Sequence, residues 1–499
     1  MAYIEQIKGR YNLIIGYIGT IMVGVGLALL IPLMLLPAFK SEIYQASSFL
    51  IPSALTILIG VVLRRWKNVN YEVTLTLQEG GVIVILAWLG TVLVSALPFM
   101  LSGQLNFTQA IFESVSGWTT TGLSVVDVAE MSNIFLLWRS TMQFFGGAGI
   151  AVVMLSAIIG PHGLGLYNAE GRSDKLLPNV AKSTKLIMMI YSSYVLAGVL
   201  LYIAAGMPWF DAINHAIAAL STGGFSTKVN SIGEYHNLKI ELITIILMIL
   251  GTINFAAHFV LLKGQVKRFL KIGEIRFMFF LLSVAIPIVS FLSLSKIFGS
   301  LGKSIRVGAF EIISALSTTG FSTVSYSSWD SFAVFFMIIL MIIGGGTGST
   351  AGGLKLYRVY LMIKSLGWNI RGYLLPQNSI QQNYVTRAEG KYYVSQQHII
   401  DVSSFTVLYM ITYVFGVAVI VLHGYPLQDA MFEFASSLGT VGLSVGITAP
   451  NAPVLVLWTQ ILGMMLGRLE FLVIFFAGAK MIRDIRLAIK KERAVNTFF

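Results

Sequence analysis

The sequence predicts an all-α polytopic membrane protein with about ten transmembrane helices, eight of which form four pseudo-symmetric units around one central pore. Each unit reads helix, pore helix, filter loop, helix. Three observations carry this. Of the 499 residues, 56% are apolar and 11% charged, with a mean hydropathy of +0.80, and a soluble chain so composed would expose too much apolar surface. Ten apolar runs, near 11–36, 47–63, 80–101, 133–160, 184–206, 238–262, 275–296, 332–364, 399–423 and 453–480, suit a hydrocarbon core of roughly 30 Å. The third is a phrase of the form Thr-x-Gly-[Leu/Phe]-Ser that recurs four times after an apolar stretch.

The first run is too long for a simple secretory signal and lacks a small-residue cleavage site, so it is expected to stay in the mature protein. Cysteine is absent, which excludes disulfides, thiolate metal sites and a cysteine nucleophile. The net charge of +12 would suit a nucleic-acid partner, but the basic residues gather in alternate connecting segments. With the N-terminus in the cytoplasm, most of the 34 Lys and Arg fall on the cytoplasmic side, as the positive-inside rule requires. Both termini are therefore expected in the cytoplasm, at a cell (inner) membrane, with lipid and not nucleic acid as the surrounding partner. Clusters such as Lys263, Lys267, Arg268 and Lys271 are read first as topological determinants.

After two N-terminal spans (1–71), the chain divides into four units at 72–183, 184–272, 273–397 and 398–499. The repeated phrases are Thr120-Thr121-Gly122-Leu123-Ser124, Thr222-Gly223-Gly224-Phe225-Ser226, Thr318-Thr319-Gly320-Phe321-Ser322 and Thr440-Val441-Gly442-Leu443-Ser444. Their central glycines lie 102, 96 and 122 residues apart, a spacing suited to a unit of two spans. Before each phrase, Phe107–Trp118, Trp209–Leu220, Val307–Leu316 and Leu427–Leu438 are too short to cross the bilayer and fit re-entrant helices. Irregular backbone at that depth is tolerated only where protein or a water-filled cavity covers it.

Stripping water from a monovalent cation requires replacement oxygens, and a ring of backbone carbonyls supplies them without a fixed charge. Glycine permits the conformations that aim successive carbonyls inward. The four threonines Thr120, Thr222, Thr318 and Thr440 are candidates to add hydroxyl oxygens or to brace the loop, and the serines to pin its outer end. Nine residues before each glycine stand Glu113, His215, Glu311 and Glu433. Either they hydrogen-bond the filter backbone and attract cations, or they are solvated rim residues.

Six glycines within Gly344-Gly345-Gly346-Thr347-Gly348-Ser349-Thr350-Ala351-Gly352-Gly353 would each cost about 1 kcal/mol in a helix interior, so an unwound loop is expected inside the span 332–364, as a gate that Arg468 restrains. Arg468 lies as far after Gly442 as Gly346 does after Gly320, so a guanidinium and this loop are expected to meet below the filter. Arg468 then acts as an electrostatic barrier or as a donor to the loop carbonyls; pairing with Glu470 is disfavoured, because residues two apart on a helix do not face each other. Arg139 and Glu241 share an offset from their glycines, compatible with an inter-repeat ion pair or an interfacial arginine.

The four phrases, the paired spans, the segment Gly344–Lys355 and Gly467-Arg468-Leu469-Glu470 resemble the Trk/Ktr/HKT superfamily of potassium transport proteins, and the two extra N-terminal spans resemble its bacterial Trk branch. The resemblance implies potassium as the transported substrate, a homodimer, and a cytosolic regulatory subunit with nucleotide-binding, RCK-type domains that carries the nucleotide, with no cofactor bound covalently here. Members with serine at the first filter glycine are associated with sodium permeation, so Gly122 favours potassium. Gly223 and Val441 break the plain Thr-Thr-Gly pattern. Passive conduction and proton- or sodium-coupled symport share such a filter, and both stay open. An intramembrane enzyme built on His162, His258 or His398 lacks any His-Glu-x-x-His or Gly-x-Ser-x-Gly motif, and a non-conducting receptor leaves four filter copies unexplained.

Overall fold

Helix starts follow the local sequence. A computed structural model describes residues 2–65, 75–149, 180–376, 382–469 and 471–496. Thr76 and Glu79 form a capping box at the head of Leu77–Leu101, and Asn106 and Gln109 form another at Phe107–Trp118. Asp330 and Ser395 accept backbone N–H bonds at the heads of Ser331–Ile343 and Gln396–Leu422. Each cap satisfies an amide that the helix itself cannot.

The two N-terminal helices, Ala2–Ala28 and Ala46–Arg65, cross closely at Gly19 and Gly60. A Cβ on either would stand 2.7 Å from the other's carbonyl oxygen, so only glycine permits this contact. Four units follow. The first is Leu77–Leu101, Phe107–Trp118 and Asn133–Ala148; the second is Val180–Ala204, Trp209–Leu220 and Leu238–Thr252 with Phe255–Leu262. The third is Gly273–Val289, continued through a π turn at Ser290–Leu294, then Leu301–Ser317, Ser331–Ile343 and Leu356–Leu374. The fourth is Gln396–Leu422, Leu427–Gly439, Val454–Arg468 and Phe471–Asn496. Six of the described helices are long and apolar enough to cross a membrane unbroken.

The spans expected from hydropathy at 133–160, 238–262 and 453–480 need correction, because their helices stop early. Asn133–Ala148 ends at Gly149, and the rest of the run to 160 lies outside the described residues. Leu238–Thr252 turns by 108° into Phe255–Leu262, and Val454–Arg468 is followed by a 102° bend. Ser331–Ile343 stops at Gly344, where the glycine-rich loop expected from sequence begins. The third short helix also starts earlier than its apolar pattern, at Leu301. Between the third and fourth units, the antiparallel hairpin Tyr384–Arg387 and Gly390–Tyr393 pairs Tyr384 with Tyr393, which hydropathy gave no reason to expect.

The N-terminal segment holds the first unit through a cap supplied from a distance. Ser132 makes no side-chain cap bond at the head of Asn133–Ala148. Instead the buried Glu42 accepts from the backbone N–H groups of Asn133 and Ile134, both at 3.0 Å, and from Asn133 Nδ2 at 2.8 Å. A carboxylate there also meets the positive end of the helix dipole. Replacing it removes the acceptor for the Asn133 and Ile134 amides, so Glu42→Ala is expected to cost about 2 kcal/mol and to lower the thermal unfolding midpoint of the detergent-purified protein. Glu42→Gln is expected to fall between the two.

Candidate functional site

Each pore helix ends in the same backbone motif. The second residue of each filter phrase sends its N–H five residues back: Thr121 to Ser116, Gly223 to Ala218, Thr319 to Ser314 and Val441 to Ser436, at 2.8–3.0 Å. The threonine before it bonds three residues back, at 3.1–3.2 Å. This is the Schellman termination, which normally places glycine at the left-handed position. Here Thr120, Thr222, Thr318 and Thr440 hold it, with φ between +50° and +56°. A β-branched residue in that region costs on the order of 1–2 kcal/mol.

The four phrases close one ring. A Cβ on Gly122 would overlap the Gly223 carbonyl; on Gly224, the Thr319 carbonyl; on Gly320, that of Val441; and on Gly442, that of Thr121. The units therefore follow one another in chain order about a single axis. All four glycines have positive φ, from +68° to +101°. Above the ring opens a cavity of about 470 Å³, lined by the four glycines and by Arg139 and Lys228. Leu123, Phe225, Phe321 and Leu443 are buried behind the filter.

Glu113, Glu311, Glu433 and His215 are fully buried, not solvated. They bind the strand that leaves the filter: Glu113 accepts from Val125 N (3.2 Å) and Ser124 Oγ (3.1 Å). Glu311 accepts from Thr323 N (2.7 Å) and Tyr326 Oη (2.5 Å), and Glu433 from Val445 N (2.9 Å), Ser444 Oγ (2.8 Å) and Thr448 N (2.9 Å). In His215, Nδ1 bonds the Asp211 carbonyl (2.8 Å) and Nε2 lies 3.0 Å from Ser226 Oγ. The Gly122 and Gly442 N–H groups donate to Ser116 and Ser436 Oγ, both at 3.0 Å, and Ser314 Oγ donates to the Phe321 carbonyl at 2.6 Å.

The two residues linked by offset find other partners. Arg139 bonds Glu113 in its own unit at 2.6 Å, and Glu241 takes Arg306 of the third unit in two bonds of 2.6 Å. Equal offset placed them at equivalent positions, and equivalent positions point the same way around the ring rather than at each other. Among the residues that sequence reasoning passed over are Asn254, Glu274 and Gln143. Their signal is a polar side chain at the edge of, or inside, an apolar run.

Directly beneath the threonines lies the loop Gly344–Gly353. Gly352 N donates to Thr318 Oγ1 (2.8 Å), Thr222 Oγ1 reaches Thr350 Oγ1 (3.3 Å), and Thr350 Oγ1 also donates to the Leu220 and Gly251 carbonyls. A Cβ on Gly352 would overlap Thr440, whose Oγ1 is buried with no partner among the described residues. The loop and the break in the second unit satisfy each other: Gly346 N bonds Thr252 O and Phe255 N bonds Gly348 O. Asn254 Nδ2 and Glu274 Oε1 hold the carbonyl and N–H of Thr347. Gly344, Gly348 and Gly353 have φ near +70° to +77°, and a Cβ on Gly345 would overlap Thr252 and Ala351.

The equal register of Arg468 and Gly346 is replaced by a contact four residues further along. Arg468 Nη1 donates to the Thr350 carbonyl (2.5 Å) and Nη2 to Gly146 O (2.6 Å). Glu470 lies outside the described residues, as does His162. His258 bonds the Leu250 carbonyl and His398 the Tyr357 hydroxyl, so the two serve different neighbourhoods.

Four backbone loops close one ring in a predominantly helical membrane protein, with an open cavity above and a buried loop below, an architecture suited to a membrane transport protein. A family model described as TrkH, cation transport protein, matches residues 45–484. The chain belongs to this family, and is a transport protein rather than an enzyme. It is 30% identical over 467 residues to an uncharacterized cation transporter of Methanocaldococcus jannaschii, covering 91% of this chain and 93% of the relative. It is 31% identical over 422 residues to the Trk system potassium uptake protein TrkG of Escherichia coli K12, covering 81% and 86%. The crystal structure of the potassium transporter TrkH from Vibrio parahaemolyticus matches with a TM-score of 0.81 at 25% identity, over 93% of this chain and 97% of that one.

The buried anchors make a stability prediction. Glu433→Ala removes the acceptor for several donors at once, each bond to a charged group being worth about 1.5–3 kcal/mol, so the purified protein is expected to melt well below wild type. Glu433→Gln, which keeps one acceptor oxygen, is expected to melt in between; a wild-type melting curve for the alanine variant would contradict the anchoring role.

Proposed function

We propose that this chain carries potassium inward across the cytoplasmic membrane through the ring at Gly122, Gly224, Gly320 and Gly442, driven by the membrane potential. The observation that carries the reading is the four-fold close approach of each glycine to the next unit's carbonyl. It assembles backbone oxygens around one axis without a fixed charge, as dehydration of a monovalent cation requires. The relatives named as potassium uptake proteins support potassium as the cargo. Passive conduction is favoured over coupled symport because Glu113, Glu311 and Glu433 are saturated with donors on the outer side, which removes them from a proton or sodium relay. Uptake of rubidium into vesicles under an imposed potential is expected to be indifferent to an added proton gradient and to exceed sodium uptake. Gly122→Ser adds a side chain at φ +91° and sets its Cβ 2.2 Å from the Gly223 carbonyl oxygen, which must shift. It is expected to cut the preference for potassium at least about tenfold, the left-handed backbone alone costing about 1–2 kcal/mol.

The same reading makes residues 344–353 the gate and Arg468 its restraint, since the guanidinium holds the Thr350 carbonyl. The chain works in an inner membrane with both termini in the cytoplasm, as a homodimer, and a cytosolic nucleotide-binding subunit of RCK type acts on the loop from below. Arg468→Ala is expected to raise basal rubidium flux several-fold; unchanged flux and unchanged regulation would remove Arg468 from gating.

A further inference from the structure

The second filter lacks three braces that the other units carry. Where the first and fourth units place Ser116 and Ser436 under the filter amide, and the third places Ser314 under a filter carbonyl, the second has Ala218. Where the others place a carboxylate nine residues before the glycine, it has His215, whose Nε2 lies 3.0 Å from the Ser226 hydroxyl. Its carboxylate anchor, Asp211, takes hold one residue further out, at Thr227 and Lys228. Where the others place Thr121, Thr319 or Val441, it has Gly223. Glycine gives the backbone its greatest freedom, so this quarter of the ring should be the loosest.

The missing support comes from the neighbouring unit. Arg139 and Gln143 stand four residues apart on Asn133–Ala148 and therefore share one face. Arg139 lies with its guanidinium 3.9 Å from the Phe225 ring centre and donates to the Ser226 carbonyl at 3.2 Å. Gln143, fully buried, donates through Nε2 to the Gly223 carbonyl at 2.5 Å and accepts from Phe225 N at 3.4 Å. A carbonyl needs the NH₂ and an amide needs the oxygen, so these two partners fix the orientation of the carboxamide. Its position explains the glycine: a Cβ at 223 would stand 2.4 Å from Gln143 Cδ. The carboxamide occupies the space that a filter side chain fills in the other units. Among the described residues, the matching carbonyls of Thr121, Thr319 and Val441 accept no side-chain bond.

Resting on the potassium reading above, we propose that Gln143 is a positioning residue for ion specificity. It stands in for the absent side chain at 223 and fixes the Gly223 carbonyl at the distance from the axis that the other three carbonyls hold by their own packing. Without it, Gly223 is free to move its carbonyl toward a smaller ion, and sodium gains. The shape complementarity is reciprocal, which makes the idea testable with a pair of substitutions.

Rubidium uptake in competition with sodium, measured in vesicles with each variant's membrane abundance quantified, decides it. Gln143→Ala is expected to lower the rubidium-to-sodium preference about tenfold, the scale of one lost buried hydrogen bond. Gly223→Val alone is expected to lose uptake, because the new side chain meets the carboxamide. The double variant, with valine filling the space that glutamine left, is expected to recover most of the wild-type preference. A Gln143→Ala variant with wild-type preference, or a Gly223→Val variant with full uptake and preference, would overturn the proposal while leaving the potassium reading intact. A wild-type protein that does not prefer rubidium over sodium would overturn both. Should Gln143→Ala fail to accumulate, recovery of abundance and preference in the double variant supports the proposal, and no recovery overturns it.

Discussion

Everything in this molecule depends on four backbone contacts, each a glycine pressed against the carbonyl of the next unit. That approach leaves no room for a side chain, which sets glycine at four positions about 100 residues apart in a chain whose units otherwise share little sequence. It also dictates how each pore helix must end. A Schellman turn swings the chain back toward the axis within two residues, and the left-handed position falls to threonine despite a cost of about 1–2 kcal/mol each. Thr318 returns part of that cost as an acceptor for Gly352 N, and buried carboxylates offset more of it by holding the strands that leave the filter.

Below the ring, the last helices of the units interrupt one another in a complementary way. Irregular backbone at membrane depth persists only when its polar groups are matched. The break at Ile253 and Asn254 and the loop 344–353 meet this demand jointly, since amides freed on one side find carbonyls freed on the other. Small residues make the approach possible. Gly146, Gly251 and Gly467 each sit where a Cβ would strike the end of a pore helix, at Trp118, Leu220 and Leu438. The third unit departs from this, and its corresponding stretch is the loop itself.

The parts legible in the sequence were those encoded locally. Apolar runs located the helices, the repeated phrase located the ring, and glycine density located the unwound stretch after Ile343. The bend at Ile253 was hidden because one asparagine in an apolar run barely changes its hydropathy, and the helix breaks there only because the loop supplies partners. The exchange of partners by Arg139 and Glu241 was hidden for a different reason. Aligning units by their glycines tells which positions are equivalent, but equivalent positions in a cyclic arrangement do not face each other, and Arg139 pairs with Glu113 of its own unit while Glu241 pairs with Arg306 of the next.

That cyclic order separates what the units share from what they do not. The ring contacts are backbone and alike, whereas the side-chain locks between units differ at each junction. Arg139 and Gln143 reach from the first to the second, Glu241 pairs with Arg306 from the second to the third, and Ser331 bonds Gln428 from the third to the fourth. Arg468 breaks the pattern by reaching two units at once, the third through Thr350 and the first through the last carbonyls of Asn133–Ala148. A cation at a helix C-terminus is favoured by the dipole and by the carbonyls that end the helix. The same guanidinium thus caps one helix while holding the proposed gate. Swinging the loop away need not strip Arg468 of all its partners, since the helix end remains to receive it, and that lowers the electrostatic cost of opening.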